Sequence, residues 1–149
     1  MVHLPGARPG EALALASTNA KTGQVEDITT PSTERVTPPC PLFERCGGCT
    51  LQYMAPSALL NWKADRVRHA LSKAGFTQLP TFQQHQVPPH SRRRADLAIR
   101  RSGKDLLLGL HARNSGDVVD LTTCTIMHPT LLAALPVLRQ TLRSLEGLR

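Results

Sequence analysis

Hydrophobic positions change their period several times along the chain, and each change marks an element. Up to residue 38 short alternation, Leu13 and Leu15 and then Val25 and Ile28, is broken by Pro, Gly and Thr. That pattern predicts short strands and turns, closed by the stiff Thr37-Pro38-Pro39. Residues 56–74 switch to a helical period: Leu60, Ala64, Val67, Leu71 and Ala74 recur every three or four positions. Pro56 suits a first turn, and Gly75 sits where a C-terminal cap is expected. The other face of this helix carries Lys63, Arg66, His69 and Lys73.

A polar, Gln- and Pro-rich stretch at 77–91 leads to period-two alternation, in which Ala95, Leu97 and Ile99 interleave with Arg94, Asp96 and Arg100. Ser102-Gly103-Lys104-Asp105 reads as a hairpin turn, 106–111 as the return strand, Asn114-Ser115-Gly116-Asp117 as a second turn and 118–121 as a third strand. From Pro129 a helix runs through Leu131, Leu135, Leu138, Leu142 and Leu145, with His128 placed to cap it and Pro136 expected to kink or split it. The elements predict an α+β fold in three segments, 1–38, 39–75 and 76–149.

The 149 residues leave room for one modest core or two small ones, and 40% hydrophobic against 19% charged residues is a globular balance. Aromatics make up only 3%, so the core leans on Leu, Val and Ala and is thin; Phe43 and Trp62 are expected inside it rather than as base-stacking platforms. No apolar run approaches the roughly 20 residues that span a bilayer. The opening MVHLPGARPGE lacks a positive region followed by an apolar stretch, so no secretory signal is expected and the protein reads as cytoplasmic, monomeric and without a membrane partner. Residues 1–60 hold four Lys and Arg against five Asp and Glu, whereas residues 61–149 hold fourteen against six. The basic part reads either as a solvated face or as a surface for a polyanion, nucleic acid above all.

The four cysteines carry the sharpest chemistry. Cys40, Cys46 and Cys49 fall as C-x5-C-x2-C in CPLFERCGGC, and Cys124 follows 75 positions later, after the third strand. Two glycines between the last pair let the backbone wrap closely around one centre. Disulfides do not suit a chain with no export signal, so the four are read as thiolate ligands. Four thiolates suit either zinc or an iron–sulfur cluster. Zinc sites usually pair two C-x2-C units, and this chain has one; three close cysteines and one remote one is the commoner cluster pattern. With four thiols present, His111 and His128 are given no ligand role.

The string CPLFERCGGCTLQY followed by a helix resembles the cluster-binding segment of the RNA 5-methyluridine (uracil-C5) methyltransferase family. VHLPGARPGE is similar to the end of that family's TRAM domain, a small OB-like RNA-binding barrel. SRRRADLAIRR and LGLHARNSGDVVDLTTCTIMHP are similar to its central domain. The sequence departs from the family pattern at Tyr53, where His is common, and at Ser91-Arg92-Arg93, where Tyr-Arg-Asn is more usual.

The resemblance implies a partial TRAM-like β-domain over 1–38, a Cys-rich loop and helix over 39–75, and a central antiparallel sheet with a helix over 76–149. It also implies that Cys40, Cys46, Cys49 and Cys124 ligate a [4Fe-4S] cluster, and that the partner is RNA, ribosomal rather than transfer RNA. The RNA contacts expected are Arg92, Arg93, Arg94, Arg100, Arg101 and Lys104, with Lys63, Arg66 and Lys73 on the helix. Uracil-C5 methylation needs thiolate attack at C6, a methyl donor and a base for the C5 proton. In the family those parts lie in a Rossmann-like domain that binds S-adenosylmethionine. No glycine-rich strand-to-helix turn of that kind and no fifth cysteine occur here. The chain is therefore expected to be an N-terminal part of such an enzyme, with no catalytic residue and no methyl transfer on its own. A stand-alone RNA-binding module with four cysteines on zinc or a cluster is the other reading.

Overall fold

The computed structural model describes residues 4–19, 21–102 and 105–145. Its elements are β1 (Ala12–Thr18), β2 (Gly23–Thr30), α1 (Pro56–Lys73), β3 (Ala98–Ser102), β4 (Asp105–His111), β5 (Val118–Asp120) and α2 (Pro129–Ser144). Both sheets are antiparallel, ordered β1-β2 and β3-β4-β5, and the fold is α+β. No doubly wound parallel sheet occurs among the described residues. The chain divides into two compact units, one of residues 1–37 with 51–85 and one of residues 38–50 with 86–149.

In the first unit β1 pairs with β2 through a ladder whose register shifts between Ala12 and Leu13, between Ala14 and Leu15, and between Leu15 and Ser17. This single pair is what the described residues show of the barrel expected before residue 38. A buried charge network fastens the turns around it. The Glu11 side chain is fully enclosed and accepts hydrogen bonds from Arg35 Nε (2.6 Å) and Nη2 (2.7 Å) and from the backbone N–H of Arg8 (2.8 Å) and Ser32 (3.1 Å). Arg35 also donates to the Gly6 carbonyl and lies over the Tyr53 ring, 4.7 Å from its centroid. Arg8 Nη1 donates to the Glu34 carbonyl, and Nη2 pairs with the Glu34 carboxylate. With four donors on it, chiefly the Arg35 guanidinium, the Glu11 carboxyl falls to about 2 despite its burial.

The helix α1 forms where the period predicts it. Pro56 stands in its first turn, and the chain leaves through Ala74 into Gly75 at φ +93°, a left-handed position that favours glycine. Its packing differs from expectation. Ala58 is its one buried residue, and α1 packs on no other strand or helix among the described elements. Val67 is consequently 50% exposed and Trp62 39% exposed, so Trp62 is not a core residue.

The second unit holds the main core: Leu106, Leu108, Leu121, Cys124, Met127 and Leu135, with Leu42, Leu97, Leu131 and Leu142 packed against them. Leu106 and Leu108 alternate with less buried positions along β4, as a half-buried strand should. The first strand is shorter than its alternation implies. Ala95 and Leu97 reach the core from the segment leading into β3, and Ile99, on the edge strand, is 40% exposed. β4 and β5 approach closely at Gly109, opposite Asp120 in the register. The predicted turn at 102–105 includes Gly103 and Lys104, which lie outside the described residues.

α2 runs unbroken through Pro136, so this proline does not split it. Leu131 and Leu135 before the proline and Leu142 after it all pack on the same core. Leu138 and Leu145 are exposed, so the apolar stripe is narrower than the period implied. At its start the His128 side chain accepts a hydrogen bond from the Thr130 N–H, the cap expected. No described helix is long and apolar enough to cross a membrane.

Candidate metal centre and basic surface

Three of the four cysteines sit on a loop wound by its own backbone. The N–H of Phe43 donates to the Cys40 carbonyl at 3.0 Å, and the N–H of Cys46 to the Leu42 carbonyl at 2.8 Å. The loop is then clamped to the segment leaving β4. Cys46 and Ala112 form an antiparallel bridge, Gly47 N–H donates to His111 O at 2.9 Å, and Arg113 N–H donates to Arg45 O at 2.9 Å. Arg113 closes the clamp with its side chain. One guanidinium nitrogen donates to the carbonyls of Phe43 (2.9 Å) and Cys49 (3.0 Å), while the group lies 4.8 Å from the centroid of the buried Phe43 ring.

Of the two glycines between Cys46 and Cys49, the first is held to glycine by backbone atoms and the second faces a leucine methyl. A Cβ on Gly47 would stand 2.9 Å from the His111 carbonyl oxygen, and one on Gly48 2.7 Å from Leu110 Cδ1. Gly48 N–H also points at Cys46 Sγ, 3.4 Å away, the kind of donor that tunes a ligating sulfur.

Cys124 follows β5 and is buried in the main core, where Leu42, from between Cys40 and Cys46, packs against the same cluster. Cys46 is likewise buried, Cys40 and Cys49 are half-buried, and none of the four is in a disulfide. All four thus belong to one compact unit. Among the described residues no group of three or more His, Cys, Asp or Glu side chains is gathered for metal binding. The donor set fits a thiolate-ligated metal in kind: four thiols, on two segments of one unit that already touch through Leu42 and share β4 and β5 as supports.

The expected RNA contacts separate into three groups. Arg92, Arg93 and Arg94 are exposed, and the Arg92 backbone is fixed by a bridge to Met127. Lys63, Arg66 and Lys73 are exposed along α1. Arg100 and Arg101 have partners within the chain. Arg100 pairs with Asp117, whose carboxyl is held below its usual range by the Ser115 hydroxyl and by Arg100. Arg101 donates to the Leu142 and Leu145 carbonyls at the end of α2, the first of which also accepts from the Leu145 N–H. Lys104 lies outside the described residues. Arg113 was not singled out from sequence, since nothing in the periodicity marks an arginine spent on loop carbonyls.

No protein-family model matches the chain. Similar proteins do. It is 41% identical over 139 residues, 91% of its length, to an uncharacterized RNA methyltransferase of Caulobacter vibrioides. It is 33% identical over 155 residues to an uncharacterized RNA methyltransferase of Bacillus cereus, and 35% identical over 155 residues to the 23S rRNA (uracil(1939)-C(5))-methyltransferase RlmD of Dichelobacter nodosus. The chain spans about a third of the length of these curated relatives (32%, 34% and 36%). Along nearly its whole length, then, the chain is similar to about a third of the length of proteins named as RNA methyltransferases, a 23S rRNA uracil-C5 enzyme among them.

Proposed function

We propose that this chain is the cluster-binding and RNA-recognising part of a cytoplasmic, S-adenosylmethionine-dependent uracil-C5 methyltransferase acting on 23S rRNA. The observation that carries the reading is the similarity along nearly the whole chain to RNA methyltransferases, a named 23S rRNA uracil-C5 enzyme among them. Cys40, Cys46, Cys49 and Cys124 hold a [4Fe-4S] cluster, whose chemistry here is that of a cross-link between the 40–49 loop and the segment after β5. Support comes from the four thiols within one unit and from the glycines and Arg113 that press the loop onto the end of β4. Arg92, Arg93 and Arg94 contact phosphates, together with the basic residues of α1. Arg101 is a structural residue.

The methyl donor has no fitting site among the described residues, which contain no parallel α/β sheet with a phosphate-type turn. Transfer belongs to the remaining two thirds of such an enzyme, and the chain alone is expected to leave unmodified 23S rRNA unmethylated.

The test is anaerobic purification with the visible spectrum recorded. Brown protein with broad absorption, lost in Cys46→Ser and Cys124→Ser, is the expected result. A colourless protein with stoichiometric zinc would replace the cluster by a zinc site, and one with no metal would overturn the four-cysteine reading. Measurable methyl transfer to rRNA by the chain alone would overturn the division of labour.

A further inference from the structure

The residue expected in the core and found outside it lies at the head of a line of nitrogen-bearing side chains. Trp62, Arg66, His69 and Lys73 are spaced four, three and four apart, so they lie within about 60° of one another on α1 and extend about 16 Å along it. All four are exposed. The Arg66 guanidinium stands over the Trp62 ring, 5.8 Å from its centroid. The one acid of the helix, Asp65, does not interrupt the line. It sits to one side and is paired at 2.6 Å with Arg68, which in turn lies over the Phe82 ring, 5.3 Å from its centroid.

We infer that this stripe is a stacking platform for unpaired RNA, in which Trp62 and Arg66 take a base and Arg66, His69 and Lys73 follow the backbone. The inference rests on the proposed RNA-binding role and assigns it a substrate form and a place. An indole and a guanidinium both offer flat, polarisable faces that stack on exposed bases. Base-paired RNA presents no such face, because its bases are stacked and its major groove is too deep and narrow for side chains. A lipid surface is the poorer match. Helices that lie on membranes segregate Trp from Lys and Arg onto opposite faces, whereas here Trp62 shares its face with the cations.

The chain has one tryptophan, so its fluorescence reports on this position alone. The full chain is titrated with a short oligouridylate, with a matched RNA duplex and with phosphatidylglycerol vesicles, while polarisation of labelled RNA measures affinity. Oligouridylate should quench the fluorescence, and duplex should not. Trp62→Ala should weaken single-strand binding about 5- to 150-fold, the range that stacking one base is worth, with Trp62→Phe between it and the parent. Arg66→Ala should lower the salt slope of binding by about one. Circular dichroism confirms that each variant keeps its helices. Tight RNA binding without quenching, and unchanged in Trp62→Ala, would overturn the platform and leave the RNA-binding role standing. Absence of RNA binding by the parent chain would overturn both. Equal quenching by duplex, or a response to vesicles alone, would overturn the single-strand assignment.

Discussion

Adding one methyl group at residue 109 tests how closely β4 and β5 approach. A Cβ at Gly109 would stand 2.0 Å from the Val119 carbonyl oxygen and 2.9 Å from Leu121 N. Ordinary contact begins near 3.4 Å, so β5 must retreat by more than an ångström. Both obstacles are backbone atoms, which cannot rotate aside as a side chain can. Retreat would also stretch the hydrogen bonds from Leu121 N–H to Leu108 O (3.0 Å) and from Leu108 N–H to the Asp120 carboxylate (3.1 Å). Overpacking costs about 1–3 kcal/mol and each weakened bond about 1 kcal/mol. The entropic benefit of alanine over glycine returns less than about 1 kcal/mol. Gly109→Ala should therefore destabilise the second unit by about 3 kcal/mol, which for a unit of this size is a fall in Tm of roughly 12–24 °C. Urea and thermal unfolding followed by circular dichroism would measure it. Gly116→Ala, where a Cβ meets nothing within 4 Å, is the control and should stay within about 0.5 kcal/mol of the parent. A Gly109→Ala protein within about 1 kcal/mol of the parent would refute the close approach.

Three further outcomes are expected. Arg101→Ala should cost about 1–2 kcal/mol by stripping the carbonyls that end α2, with RNA affinity unchanged; a selective loss of affinity at full stability would return Arg101 to the RNA surface. The Glu11 carboxyl titrates near 2 in the fold against an ordinary 4.5, so its contribution is complete above about 4.5 and vanishes as pH falls through 2. Acid titration of stability should show that loss in the parent and not in Glu11→Gln, and parallel curves for the two would contradict the linkage. In the cysteine loop Gly47→Ala should cost more than Gly48→Ala, because the first Cβ meets a backbone carbonyl and the second a flexible leucine methyl; the reverse order of unfolding midpoints would be inconsistent with this packing.

Local signals were legible where a single residue type fixes the backbone. Pro56 and Gly75 bracket α1, and His128 caps α2, because proline, glycine and a side-chain acceptor act within one turn. Burial was less legible, since period reports which face is apolar but not whether anything covers it. Val67 carries the right spacing on a helix that packs on no other described strand or helix, and Trp62 lies on the opposite, basic face. Pro136 does not split α2, and core contacts lie on both sides of it. The arginines divide in a way no pattern reveals. Arg35 and Arg113 hold turns together and Arg101 ends a helix, while Arg92, Arg93 and Arg94 remain exposed, and only the fold separates the two kinds. The cysteine spacing was the strongest signal for the candidate site, yet the clamp that supports it joins residues up to seventy positions apart.

That separation has a consequence during synthesis. The loop at 38–50 belongs with residues 86–149, so it leaves the ribosome long before the strand that holds it. Ala112, the bridge partner of Cys46, is made 66 residues later, about 3 to 13 s at ordinary elongation rates. Through that interval three thiols and Phe43 have no sheet to rest on, while the β1–β2 pair can already close. The first unit can settle early, and the order of manufacture keeps the cysteine loop waiting for the end of β4.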